Sequence, residues 1–427
     1  MELSSHANSS SSYVTVLKHP QPIQGSIRVP GSKSLTNRAL VLAALSKGKS
    51  TLQHVLLSDD TKVMITALGL MGVEISFSSP TTIEVIATGS LKAPDQPIFL
   101  GNAGTATRFL TAISCLVDGS VAIDGDDYMR ARPIMPLVDA LTSLGVDVTC
   151  KTGCPPLTIN GRGGFDGKEV SIDANLSSQY VSALLMLAPN GTNGLKVAMQ
   201  DDHIGGRGYI DLTLDLMQKF GVTTKAEDNG WSIEPQSYSA TDYQVEPDAS
   251  SATYIWAMEA LTGGQIDIGC DPRAMTQPDA RVFDLIQSFP DFPDVIDGSQ
   301  FQDAVPTLAV MAAFCGKPIR FTGIENLRVK ECDRISALRE GLCNIHPKLA
   351  EEQGDDLVVY GDLDLKSLAN DNVLIDSKDD HRIAMCFSLA GLLLDGISIR
   401  NPDCVAKTYP NYWETLNELG VELVYSA

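Results

Sequence analysis

Six stretches of this 427-residue chain follow one pattern: a polar cluster suited to starting a helix, then a run of small and apolar residues. They read GSKSLTNRALVLAAL, GNAGTATRFLTAISCL, NLSSQYVSALLML, PDASSATYIWAMEAL, QDAVPTLAVMAAF and DDHRIAMCFSLAGLLL, starting at residues 31, 101, 175, 247, 302 and 379. Most start about 70–75 residues after the one before, the regularity of a repeated structural unit, and only the fourth-to-fifth interval is clearly shorter. A helix that is apolar nearly all round has to be covered on every side.

A second recurrence supports the first. LMGVEI (70–75), SLGVDV (143–148), KFGVTT (219–224) and ELGVEL (418–423) each end an amphipathic helix on Gly and enter a β-rich segment. Gly at that place is the usual left-handed helix stop. Each unit thus reads strand, small-residue helix, strand, amphipathic helix, strand. Six such units predict an α/β chain of two similar three-unit domains, with buried central helices and exterior sheets. The boundary between the two is expected near TDYQVEPDASS (241–251).

Composition narrows the class. With 44% hydrophobic and 20% charged residues, the chain matches ordinary globular proteins. A formal net charge of −21 argues against broad neutralisation of nucleic-acid phosphates. It leaves room for small anions in a local basic cleft, because screening acts over roughly 8 Å. Nine scattered cysteines form no CxxC pair, which points to reduced thiols rather than a disulfide framework or a zinc site. The leading MELSSHANSSSS has neither a basic start nor an apolar run and reads as a frayed tail. No apolar run reaches the roughly 18 residues of a membrane span. A cytoplasmic chain needing no metal or cofactor is the expectation.

Unusual residues gather at the helix mouths. They are Lys33, Ser34 and Arg38 in the first unit, and Gly101, Asn102, Gly104, Thr105 and Arg108 in the second. Ser177, Ser178 and Gln179 follow in the third, Asp303 in the fifth, and Asp380, His381 and Arg382 in the last. The amphipathic helices are preceded by DDYMRARP (126–133), GGRGY (205–209), NLRVKECDR (326–334) and VAKTYP (405–410). Each has a plain reading, as an N-cap or a solvated charged face. Each also has an anion-binding reading, since helix N-termini attract phosphate and carboxylate. Equivalent folding of the units would bring Lys33, Arg38, Arg132, Lys330, Arg334, Arg382 and Lys407 to one cleft between the domains. Seven cations together there would require strongly anionic ligands.

The motifs PGSKSLTNRAL, LGNAGTATR, RARP, NLSSQY, QDA, NLRVKECDR, DDHRIAMCFSLA and AKTYPNY, in this order and spacing, resemble the 5-enolpyruvylshikimate-3-phosphate synthase family of enolpyruvyl transferases. The likeness spans nearly the whole chain after the Ser-rich tail. It implies an inside-out α/β barrel arrangement of two domains, each of three βαβαββ units, with the active site in the interdomain cleft. It also implies that residues 1–30 return to join 246–427, leaving 31–245 as the other domain. The implied reaction moves the enolpyruvyl group of phosphoenolpyruvate to the 5-hydroxyl of shikimate 3-phosphate and releases phosphate.

On this resemblance Lys33, Ser34, Arg38, Ser177, Ser178, Gln179, Asp303, Asn326 and Lys330 would hold shikimate 3-phosphate. Lys33, Gly104, Arg132, Arg334, Arg382 and Lys407 would hold phosphoenolpyruvate. Lys33, Asp303 and Glu331 would manage protons. Small-molecule substrates are then the expected partners of a monomer that binds neither nucleic acid nor membrane. Two positions depart from the family pattern. Gly206 stands where a Ser is common, so Arg207 is a candidate replacement in the shikimate-phosphate pocket, and Phe109 stands where many relatives have Pro or Leu. UDP-N-acetylglucosamine enolpyruvyl transferase is the nearest alternative, but DDYMRAR (126–132) lacks that relative's reactive Cys. A non-catalytic binding scaffold of the same fold is the other alternative.

Overall fold

A computed structural model gives the structure of residues 13–173, 177–200, 205–365 and 372–426. The Ser-rich tail, residues 1–12, and Asn175 and Leu176 of the third motif lie outside the described residues. Two compact units emerge. One is Val29–Ala249 with the short stretch Met275–Pro278; the other contains the described residues up to Arg28, Ser250–Ala274, and the chain from Asp279 onward.

The unit Val29–Ala249 carries three four-stranded sheets. Their strand orders are Tyr243–Gln244, Lys47–Gln53, Thr82–Thr88, Glu74–Ser79; then Ile98–Phe99, Asp118–Asp124, Leu157–Arg162, Asp147–Cys150; then Glu169–Ile172, Leu195–Met199, Gly230–Ile233, Lys225–Glu227. In every sheet the first pair is parallel and the others antiparallel. A parallel pair needs a crossover, and in the second and third sheets the small-residue helix supplies it. In the first sheet the edge strand Tyr243–Gln244 comes from far along the chain.

The three central helices, Lys33–Leu45, Gly104–Ile113 and Ser178–Leu187, are buried on nearly all sides and share one apolar core with the inner sheet faces. Their Ala, Ser and Thr residues allow close approach, while Leu40, Leu42, Phe109 and Leu184 fill the gaps. The strand Thr82–Thr88 shows the sheet's side of the bargain: Ile83, Val85 and Ala87 point inward and alternate with Glu84, Ile86 and Thr88.

The other unit repeats the plan with one economy. Val373–Asp376, Ile397–Arg400, Tyr13–Val16 and Leu423–Ser426 form one sheet, so the N-terminal strand completes the last repeat. Val295–Asp297, Pro318–Thr322, Asp356–Tyr360 and Ala350–Gln353 form a second. Among the described residues the fourth repeat has only the pair Gln24–Ser26 and Gln265–Asp267. In place of a hairpin come the 3-10 turns Pro272–Ala274 and Pro278–Val282 and the short helix Phe283–Gln287. Pro272 and Pro278 cannot donate to a sheet ladder, and the missing strand pair accounts for the short fourth interval. Its central helices are Ala249–Thr262, Val305–Ala312 and His381–Leu393. Among the described residues the sheets are separate and open, and no single sheet closes into a barrel.

The four GV signatures behave as helix stops: Gly72, Gly145, Gly221 and Gly420 have φ of 88°, 85°, 86° and 86°. A Cβ on Gly145 would meet nothing within 4 Å, so only backbone strain opposes a side chain there. Gly145→Ala is expected to lower stability in urea titration by about 1 kcal/mol, and Gly145→Asn by less, since Asn tolerates the left-handed region. Equal losses for both would contradict the assignment.

Candidate active site

In the unit Val29–Ala249, Ser32 caps the first central helix by accepting from the Leu35 N–H, which leaves Lys33 as its first residue. The Lys33 backbone N–H donates to the Asp248 carboxylate at 3.0 Å, and its ammonium lies 3.3 Å from Asp60. Arg38, one turn on, is 1% exposed. Its guanidinium makes four hydrogen bonds: Nε to Thr213 Oγ1 at 2.7 Å, Nη1 to the Ser34 carbonyl at 3.1 Å, and Nη2 to Ser182 Oγ and the Tyr209 carbonyl, both at 3.2 Å. It also stacks 5.1 Å from the centroid of the buried Phe109 ring. Burial pulls its pKa down to about 10, with Tyr209 opposing, and the group remains a cation at neutral pH. As arranged here, Arg38 joins helices, and one Nη1 hydrogen stays uncommitted by these bonds.

The second mouth gathers Gly104, Thr105, Arg108 and Arg132. A Cβ on Gly104 would stand 2.8 Å from Nη1 of both Arg108 and Arg132, so the glycine admits two guanidinium heads over the helix start. Arg108 Nη1 donates to Gln179 Oε1 at 2.9 Å, and Gln179 Nε2 donates to Thr105 Oγ1 at 3.1 Å. Among the described residues the buried Arg108 Nε has no hydrogen-bond partner. Arg132 ends the 3-10 turn Met129–Ala131, and the Tyr180 hydroxyl pins the next carbonyl, Pro133, at 2.7 Å. Ser177 caps the third central helix by accepting from the Gln179 N–H.

Ser178 follows, and a Cβ on Gly206 would lie 3.4 Å from its Oγ. Gly206 has φ +68°, a conformation that strains Ser, which explains the glycine at this position. Arg207 is exposed, with its guanidinium 5.9 Å from the Trp231 ring centroid.

In the other unit the key group is Arg334, the first residue of the helix Arg334–Ile345 and 1% exposed. Its Nε donates to Asp380 Oδ2 at 2.7 Å, Nη2 to Glu331 Oε2 at 2.6 Å and to Asp380 Oδ1 at 3.3 Å, and Nη1 to Asp303 Oδ1 at 3.1 Å. Burial disfavours its charge, but Asp380, Glu331 and Asp303 outweigh burial and raise its pKa. Asp380 is fully buried, caps the helix His381–Leu393 by accepting from the Arg382 N–H, and accepts a weak 3.5 Å bond from the Cys332 thiol. Burial and Asp380 both push that thiol's pKa up, so it stays protonated.

Asp303 is the shared acceptor of this unit. It takes Arg382 Nη2 at 2.8 Å besides Arg334, with the Lys330 ammonium at 4.0 Å. Lys407 lies 3.7 Å from Glu331. Asn326 is buried within the 3-10 turn Glu325–Val329. His381 is fully buried beside Asp380.

Each unit therefore assembles its own share of the predicted residues. Five of the seven cations have carboxylate neighbours: Lys330, Arg334, Arg382 and Lys407 face Asp303, Glu331 and Asp380, and Lys33 faces Asp60. The plain cap reading holds for Ser177 and Asp380, whose side chains accept from the N–H groups of Gln179 and Arg382. Sequence reasoning missed Asp60 and Asp248, because LSDDTK and PDASS look like ordinary helix starts. Removing one partner of a buried ion pair leaves an uncompensated charge, so Asp380→Ala is expected to cost about 3–5 kcal/mol in denaturant unfolding. A loss below about 1 kcal/mol would contradict the clamp on Arg334.

The family profile of EPSP synthase (3-phosphoshikimate 1-carboxyvinyltransferase) matches residues 17–289 and 291–416. Proteins named 3-phosphoshikimate 1-carboxyvinyltransferase are similar throughout. That of Pseudomonas syringae pv. tomato is 56% identical over 411 residues, 96% of this chain and 98% of its own length. That of Pectobacterium atrosepticum is 39% identical over 427 aligned positions, covering 94% and 97%. A solved EPSP synthase from Acinetobacter baumannii, 24% identical, shares the fold with a TM-score of 0.78 over 98% of this chain and 100% of that one. With the profile spanning nearly all of the sequence, the chain belongs to the EPSP synthase family.

Proposed function

We propose that the chain transfers the enolpyruvyl group of phosphoenolpyruvate to the 5-hydroxyl of shikimate 3-phosphate, releasing phosphate, and that both clusters serve this one reaction. The observation that carries the reading is the set of guanidinium and ammonium groups at helix mouths, with Lys33 beside Asp60, Arg108 on Gln179, Arg334 on Asp380 and Glu331, Arg382 on Asp303 and Lys407 beside Glu331. Lys33, Arg38, Ser34, Ser177, Ser178, Gln179, Arg207, Asp303, Asn326 and Lys330 would take shikimate 3-phosphate, Arg38 through its remaining Nη1 hydrogen. Lys33, Arg132, Arg334, Arg382 and Lys407 would take the carboxylate and phosphate of phosphoenolpyruvate, with Gly104 making room. Guanidinium forks suit the paired oxygens of carboxylate and phosphate, and the Arg108 Nε, without a partner among the described residues, is a further donor that an anion would satisfy.

The chemistry needs two proton movements. In the addition step the 5-hydroxyl loses its proton, its oxygen bonds to C2 of phosphoenolpyruvate, and the methylene carbon gains a proton. In the elimination step the new methyl group loses a proton and the C2–O bond to phosphate breaks. Asp303 would receive the hydroxyl proton, and Glu331 and Lys33 would serve the carbon. An incoming substrate anion would replace Asp303 and Glu331 on Arg334 and Arg382, freeing these carboxylates for proton transfer as the positive charge stabilises the tetrahedral intermediate.

The relatives' shared name weighs against the UDP-N-acetylglucosamine alternative and against a non-catalytic scaffold. The test is phosphate release from phosphoenolpyruvate with each acceptor supplied separately. Release with shikimate 3-phosphate alone is expected, falling about a hundredfold or more in Glu331→Gln. Release only with the UDP-sugar, or binding of both substrates without turnover, would overturn the reading. Arg207→Ala is expected to raise the KM for shikimate 3-phosphate about tenfold. An unchanged KM would remove Arg207 from the site.

A further inference from the structure

We propose that Asp60 is a positioning residue for this reaction, its buried carboxylate fixing the Lys33 ammonium; the inference rests on the reading of Lys33 given above. Asp60 lies in the first turn of the helix Asp59–Leu70, where acids are common as partners of the helix dipole. That ordinary role is already filled. Asp59 beside it is exposed and pairs with Lys62 at 3.6 Å, and Ser58 and Thr61 close the helix end as a capping box. Asp60 instead is 5% exposed.

A buried carboxylate is costly unless a cation meets it, and the Lys33 ammonium, its side chain only 12% exposed, stands 3.3 Å away. Lys33 is held at its other end as well. Its backbone N–H donates to Asp248, whose own N–H donates to the Pro30 carbonyl at 2.8 Å. Two carboxylates from distant parts of the sequence thus fix the root and the tip of one lysine. A long, flexible side chain that must meet a reacting carbon gains from such preorganisation, because small misplacements cost rate steeply.

Asp60→Asn keeps the shape and removes the charge. It is expected to lower the kcat of the folded enzyme about tenfold or more, whereas Asp59→Asn leaves kcat unchanged. Adding Asp60→Asn to Lys33→Met should cost nothing further, since the group it positions is gone. A merely structural Asp60 would add its loss in both backgrounds. No phosphate release by the unsubstituted chain would overturn the reaction itself. Normal turnover that Asp60→Asn leaves intact, or equal losses with and without Lys33, would overturn the role of Asp60 alone.

Discussion

A guanidinium removed from water has to be neutralised where it lies, and the unit containing Arg334 is arranged around that demand. Asp380 meets Arg334 from the N-terminus of one central helix, Glu331 from the turn before its own helix, and Asp303 from the mouth of another. A carboxylate at a helix N-terminus is favoured by the dipole, so Asp380 is stabilised twice, by the helix it caps and by the cation it clamps. The pair is not a source of stability in itself, because desolvation offsets most of the attraction. What it provides is a fixed direction for the remaining donors.

The central helices make such ends possible. Helices that are covered on every side leave little room for charge along their length, so charge collects in their first turns, as with Lys33 and Arg38 in one and Arg108 in the next. Small residues keep the cores narrow enough for neighbouring helices to bring those termini together: Arg38 reaches Ser182 and Thr213 across three helices, and Gly104 makes space for two guanidinium groups. The local rule that polar residues cap helices and the site's need for anion ligands thus operate on the same few positions. Ser177 illustrates the overlap, as a cap acceptor within the proposed shikimate-phosphate set.

Much of this is legible in the sequence because it is periodic. The GV helix stops appear as glycines at φ near 86°, and the six small-residue runs are buried helices. The fourth repeat is less legible: its short interval signals a difference, but only the structure shows that Pro-rich turns replace a hairpin. At the site, long cationic side chains stand out in a sequence, whereas the acids that fix them do not. Asp60 and Asp248 look like helix-start residues, and burial separates them from the exposed Asp59, Asp60 meeting the Lys33 ammonium and Asp248 its backbone N–H. Arg38 shows the converse, a cation whose donors are mostly spent on the fold.

The central claim is that substrate anions take over guanidinium contacts that Asp303 and Glu331 now occupy. A crystal structure of the chain with shikimate 3-phosphate and an unreactive phosphoenolpyruvate analogue tests it most directly. The account predicts substrate oxygens within hydrogen-bond distance of Arg382 and Arg334, with the Asp303 carboxylate withdrawn from Arg382 Nη2. Both ligands bound while the 2.8 Å Arg382–Asp303 contact persists, and no substrate oxygen near either guanidinium, would contradict it.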